Sequence, residues 1–122
     1  DITLIGIGTT TRTCIQAAEN LAKQGYDAEV VDLLSISPLD EETILSSISK
    51  TRKVVIVDED YPKCSVASEL SALAAEKAFD FLDAPPKRVT APHASIPYTS
   101  VLEQLHFPSV DNVTYACLEV MN

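Results

Sequence analysis

Apolar positions along the chain switch between two rhythms. Ile2 to Ile7 is a short apolar run that closes on Gly6 and Gly8, followed by three Thr residues and then an apolar-periodic stretch from Cys14 to Ala22. A strand, a tight turn and a helix follow from that order. A strand apolar on both faces belongs in the middle of a covered sheet. In the helix, Ile15, Ala18, Leu21 and Ala22 share one stripe, and Gly25 stands where a C-terminal cap belongs. Asp27 to Asp32 reads as a second strand, and Asp40 caps a second helix that carries Glu41 and Glu42 in its first turn. Ile44, Leu45 and Ile48 are its expected buried face.

Lys53 to Asp58 holds Val-Val-Ile-Val, a third strand covered on both faces. A helix from about Ser65 buries Val66, Leu70, Leu73, Ala74 and Ala78, and Phe79, Phe81 and Leu82 are expected to continue that burial. Ala84-Pro85-Pro86 stops it, because the residue before a proline avoids the helical region. Lys87 to Thr90 gives a brief fourth strand, and Ala91 to Thr99 a loop. A short helix is predicted near Val101 to Leu105. Ser109 then caps a last helix in which Val110, Val113, Ala116, Cys117 and Val120 align. Alternating strands and helices imply parallel pairing with right-handed crossovers. The simplest sheet order is 2-1-3-4 with helices on both faces, all within one domain spanning residues 1–122. Four strands leave two exposed edges, which need cover, and a segment preceding Asp1 is one candidate for it.

Composition narrows the function. A net charge of −9 argues against nucleic acid and against an anionic membrane surface, and it suits a basic partner or plain solubility. No apolar run approaches the roughly 18 residues of a membrane span. Cys14, Cys64 and Cys117 are odd in number and widely spaced, as in the reduced thiols of a cytosolic or organellar matrix protein. The chain opens directly on a strand without Met, as a piece of a longer polypeptide would.

Candidate chemistry is sparse. Gly6 and Gly8 begin a dinucleotide fingerprint, with Asp32 at the end of the second strand where a ribose-binding acid would sit. The third glycine of the fingerprint is replaced by Thr11, which suits a structural turn whose Thr hydroxyls cap the helix. Asp58, Glu59 and Asp60 offer the hard oxygens of a magnesium site, although acids at strand ends serve more often as caps or solvated groups. Cys64 stands near a helix start beside Lys63, a setting that can lower a thiol pKa, but no partner His is identifiable for it. His93, set among prolines, has no visible carboxylate to orient it as a base.

Five ordered blocks carry a resemblance: Asp1-Ile-Thr-Leu-Ile-Gly-Ile-Gly-Thr-Thr-Thr, Asp27-Ala-Glu-Val-Val-Asp-Leu, Ser37-Pro-Leu-Asp-Glu-Glu-Thr-Ile, Val54-Val-Ile-Val-Asp-Glu and Arg88-Val-Thr-Ala-Pro-His. Together they resemble the C-terminal domain of the β subunit of thiamine diphosphate-dependent 2-oxo acid dehydrogenases (pyruvate, branched-chain 2-oxo acid and acetoin dehydrogenases) and, more distantly, transketolase. The resemblance implies a three-layer α/β/α domain with a mainly parallel sheet and an antiparallel edge strand supplied from before Asp1. It implies that thiamine diphosphate, Mg²⁺ and the catalytic groups lie on other domains of a heterotetramer of α and β subunits, so no catalytic, cofactor-binding or metal-binding residue is expected here. It also implies a role in subunit association and in docking the acyltransferase core, E2, in a bacterial cytoplasm or a mitochondrial matrix. Asp83, before Ala84-Pro85-Pro86, and Glu119, in the last turn of the final helix where an acid opposes the dipole, are the residues expected to meet E2. The alternative is a free-standing nucleotide- or phosphate-binding domain built on the turn from Gly6 to Thr10.

Overall fold

The computed structural model describes all 122 residues. Four strands, β1 (Ile2–Ile7), β2 (Ala28–Leu33), β3 (Val54–Val57) and β4 (Lys87–Val89), form one sheet in the order β2-β1-β3-β4. Every neighbouring pair is parallel, with Ile5 opposite Val31 and Ile56, and Ile56 opposite Arg88. The helices are α1 (Thr10–Lys23), α2 (Glu41–Thr51), α3 (Val66–Lys77), α4 (Ser100–His106) and α5 (Val110–Met121).

The pleat sorts the central side chains by parity. Ile5, Val54 and Ile56 pack under α2 and α3 with Ile44, Ile48, Leu70 and Ala74. Ile2, Leu4, Val55 and Val57 pack under α1 and α5 with Cys14, Ala17, Leu21, Val113 and Cys117. Both faces of the sheet are therefore covered, as the continuous apolar runs of β1 and β3 require. Thr3 is the polar exception on β1. It is fully buried, and its hydroxyl joins those of Ser47 and Thr51 at 2.8 and 2.6 Å, so α2 satisfies it.

Capping follows the sequence closely. Asp40 accepts the Thr43 amide at 3.0 Å, Ser65 that of Ser68 at 3.2 Å, and Ser109 that of Asn112 at 3.1 Å, the last as a reciprocal capping box. Gly25, at φ +89°, lies just past the end of α1, where a left-handed residue closes the helix.

Two expectations fail. The buried stripe of α1 is Thr10, Cys14, Ala17 and Leu21, while Ile15 is about half exposed and Ala22 is exposed. The Thr10 hydroxyl fixes this rotation: it accepts the Ile7 amide and donates to the Val57 carbonyl, 2.8 Å each, pinning position 10 to the sheet. Positions 14, 17 and 21 then follow at helical spacing. Phe79 and Phe81 do not continue the core; they are 72 and 47% exposed. The chain tightens there into a 3-10 turn over Phe79–Phe81, and only Ala78 and, in part, Leu82 turn inward.

Candidate functional site

The glycine turn works as a packing device. A Cβ on Gly6 would lie 2.5 Å from the Thr11 Cα, so the absence of a side chain at residue 6 is what lets α1 close on β1. Gly8 supplies the left-handed turn at φ +60°. The Thr hydroxyls do not cap α1, as the sequence suggested; Thr9 at the N-cap makes no side-chain bond. Thr10 instead ties β1 to β3, and Thr11 donates to Asp32 at 2.7 Å. The acid placed to hold a ribose is thus bound to the residue standing in for the third fingerprint glycine.

The order 2-1-3-4 places a switch in helix direction between β1 and β3, where ligands gather in open α/β sheets. The crevice there has a volume of about 400 Å³, and Gly8, Thr9, Glu59, Asp60, Ile96 and Phe107 line it. Asp58 is buried and already engaged, accepting the Asp60 amide at 3.1 Å and the Ala67 amide at 3.2 Å at the start of α3. Asp60 accepts the Tyr61 amide at 2.7 Å. Asp58 thus serves the start of α3 and Asp60 the loop before it, and no three His, Cys, Asp or Glu side chains cluster as a metal site. Glu59 and Asp60 at the rim would repel a diphosphate, so the residues at this crevice do not fit thiamine diphosphate or a dinucleotide.

The isolated nucleophile candidates stay apart. Cys64 is exposed at φ +55°, one residue before the cap of α3, and His93 lies against the Tyr61 ring with centroids 5.0 Å apart. Cys14 and Cys117 are buried between α1 and α5. Burial pushes both thiols up to about 12, and Cys14 adds to the effect on Cys117.

Asp83 and Glu119, 36 positions apart in sequence, border one groove of about 510 Å³ with Lys53 and Lys87. Asp83 is held by Arg52 through a two-pronged pair at 2.9 and 2.7 Å, and its amide donates to the Arg52 carbonyl at 2.9 Å. Those bonds hold the Asp83 carboxyl below its ordinary range. Glu119 pairs with Lys87 at 3.0 Å. Asp83 also borders a neighbouring apolar pocket of about 340 Å³ against Phe79, Leu82, Pro85 and Pro86. Sequence reasoning missed this apolar wall because it assigned the phenylalanines to the core.

A doubly wound parallel domain whose conspicuous glycines, acids and hydroxyls all serve packing and capping is the class these features define. The chain belongs to the family of the transketolase C-terminal domain, whose model matches residues 1–113. It is 45% identical over 99% of its length to the acetoin:2,6-dichlorophenolindophenol oxidoreductase subunit beta of Bacillus subtilis. It is 41% identical over 98% of its length to the mitochondrial pyruvate dehydrogenase E1 component subunit beta of Dictyostelium discoideum. The chain spans about a third of those relatives, 35 and 34% of their lengths. Among solved structures, a split gene transketolase described as an inactive beta4 tetramer superposes with a TM-score of 0.81 at 22% identity, covering 99% of this chain and 39% of that one. That likeness bears on the fold, and the fold agrees.

Proposed function

We propose that this chain is the C-terminal assembly domain of the β subunit of a thiamine diphosphate-dependent 2-oxo acid dehydrogenase, with pyruvate as the first candidate substrate. The observation that supports this is the identity with β subunits, at 45 and 41%, along 99 and 98% of the chain. In the parent enzyme, other domains would hold thiamine diphosphate and Mg²⁺, which would supply the chemistry for opening the bond beside the substrate carbonyl and passing the acyl group to the lipoyl arm of E2. The residues here hold α and β subunits together in a heterotetramer and offer E2 a docking face. A bacterial cytoplasm or a mitochondrial matrix is the proposed setting, since the relatives include bacterial and mitochondrial proteins. Acetoin is the second substrate reading, favoured by the 45% identity with the Bacillus subunit. Assembly of the parent β subunit with its α subunit, assayed with pyruvate and with acetoin, separates the two. Inactivity on both and on branched-chain 2-oxo acids refutes the proposal. A second measurement addresses the rival nucleotide-binding reading: calorimetry of this chain with NAD or thiamine diphosphate at millimolar ligand should give no saturable heat, and saturation by either would favour the rival.

For docking, the proposal keeps Asp83 and Glu119. Each already carries a cation from its own chain, so a basic partner must share or exchange with Arg52 and Lys87 rather than meet bare acids. The apolar pocket beside Asp83 supplies the area that such exchange does not. Asp83→Asn and Glu119→Gln should each weaken binding of the assembled enzyme to the E2 subunit-binding domain, by about tenfold at a central position and far less at the rim. The loss should shrink as salt rises. Arg52 holds the Asp83 carboxyl below its ordinary range, so docking that uses it persists as pH falls through the ordinary Asp range and fails only below it. Titration at two ionic strengths with both variants is the measurement. Unchanged affinity and association rate for both would move the docking surface elsewhere.

A further inference from the structure

The sheet ends at β4, whose outer side has no partner strand. The Val89 carbonyl accepts the Asp58 amide at 3.0 Å, so Val89 turns its backbone toward β3. Backbone groups alternate along a parallel ladder, so Arg88 and Thr90 direct N–H and C=O to the open side. A groove of about 550 Å³ runs along that edge, walled by Tyr115 and Glu119, by Leu105 and His106, and by Pro62. Tyr115 and Leu105 are 70 and 78% exposed, an apolar wall without a cover.

The two faces beside this edge differ in chemistry. Lys87 and Val89 lie on the α5 face, Lys87 through its pair with Glu119 and Val89 by packing against the α1–α5 core. Arg88 lies on the α3 face. Its Nη1 donates to the Pro62 carbonyl and to Ser68 Oγ, the latter at 2.8 Å, and it makes no ion pair. In a chain of net charge −9 this is a fixed guanidinium with no acid on it, and its Nε and Nη2 protons remain as a fork. A carboxylate fits such a fork with two parallel bonds.

We propose that the open edge of β4 accepts an extended segment of another polypeptide as a fifth strand. The segment carries an acidic side chain on the Arg88 face, flanked by apolar side chains on the face of Tyr115 and Leu105. Added strands take their affinity from main-chain bonds and their specificity from such alternation. A second copy of this chain is the poorer occupant, because symmetric pairing would bring Lys87 and Arg88 of both copies together, and like charges at an edge deter pairing. The proposal stands apart from the enzyme in which the parent takes part.

The test uses this 122-residue chain and two capped pentapeptides, Thr-Val-Glu-Val-Thr and Thr-Val-Lys-Val-Thr, followed by backbone amide resonances and hydrogen exchange. The glutamate peptide should shift the Arg88 and Thr90 amides saturably and slow their exchange. It should bind about tenfold more tightly than the lysine peptide. Arg88→Glu should invert that order, and Arg88→Gln should abolish it, with thermal melts confirming that each variant folds. Absence of saturable shifts at millimolar peptide overturns the proposal, as does equal binding of the two peptides. Slowed exchange that grows with protein concentration alone overturns it too, by assigning the edge to a second copy.

Discussion

The centre of the sheet and its two edges are built on different physical terms. In β1 and β3 almost every side chain is apolar and buried on both faces, and Thr3 is absorbed by hydroxyls of α2. In β2 and β4 charged side chains reach out and fasten each edge to a covering helix. Glu29 pairs with Lys50 of α2 and Asp32 accepts from Thr11 of α1, while Lys87 pairs with Glu119 of α5 and Arg88 donates to Ser68 of α3. Burial of apolar area scales with the surface removed from water, whereas exposed ion pairs contribute little. The centre therefore holds most of the stability, and the edges are fastened by exposed polar contacts that add little to it.

The comparison can be broken most sharply at Ile56, which is fully buried under α2 and α3. Ile56→Ala should cost about 2–5 kcal/mol in denaturant unfolding, from lost transfer energy and the cavity left behind. A cost below about 1 kcal/mol would mean that the site collapses freely and that the centre is less decisive than its burial implies. Alkaline pH probes the same region from the α1 side. Cys14 and Cys117 are neutral in the fold with values near 12 against an ordinary 9.0. A raised acid contributes stability that is complete below 9 and lost as pH climbs toward 12. At about 1.4 kcal/mol per pH unit, either thiol alone accounts for several kcal/mol by the top of that window. The double variant Cys14→Ala, Cys117→Ala should lose less stability between pH 9 and 12 than the parent chain in the same urea series. Parallel curves would show that other groups govern the alkaline side.

The smallest effect belongs to the edges. β2 is six residues long with an unpaired outer side, and an exposed edge recruits strands. This chain should self-associate weakly, and a form extended upstream of Asp1 by an added edge strand should do so less. Sedimentation of both forms at matched concentration is the measurement, and identical monomeric behaviour would remove β2 from the argument.

Much of this division is legible in the sequence. The apolar runs of β1 and β3 and the caps at Asp40 and Ser109 follow from pattern and local chemistry, because each is set by residues close together in the chain, and the sheet order follows from the alternation of strands and helices. The rotation of α1 was not legible, since it depends on the Thr10 hydroxyl finding a carbonyl 47 positions away. The same holds for Thr11 with Asp32, which turned an apparent ligand acid into an internal acceptor. The placement of Asp83 and Glu119 on one groove could be guessed from their positions late in the fold, but the cations already bound to them could not. Arg52 meets Asp83 only because α2 ends in a left-handed residue facing the loop before β4.

The packing of α5 on α1 sets a timetable for the ribosome. Val113, Ala116 and Cys117 cover the same face of β1 and β3 as Cys14, Ala17 and Leu21, yet about ninety residues of synthesis separate the two groups. At roughly 5–20 residues per second, the first half of that layer waits about 5–20 s for its other half. Once α3 is complete at Lys77, Ile5, Val54 and Ile56 have both of their covering helices, whereas Leu4, Val55 and Val57 stay incompletely covered until α5 is made. The nascent domain therefore has a finished side and an open side, and the open side is where a chaperone would find apolar surface.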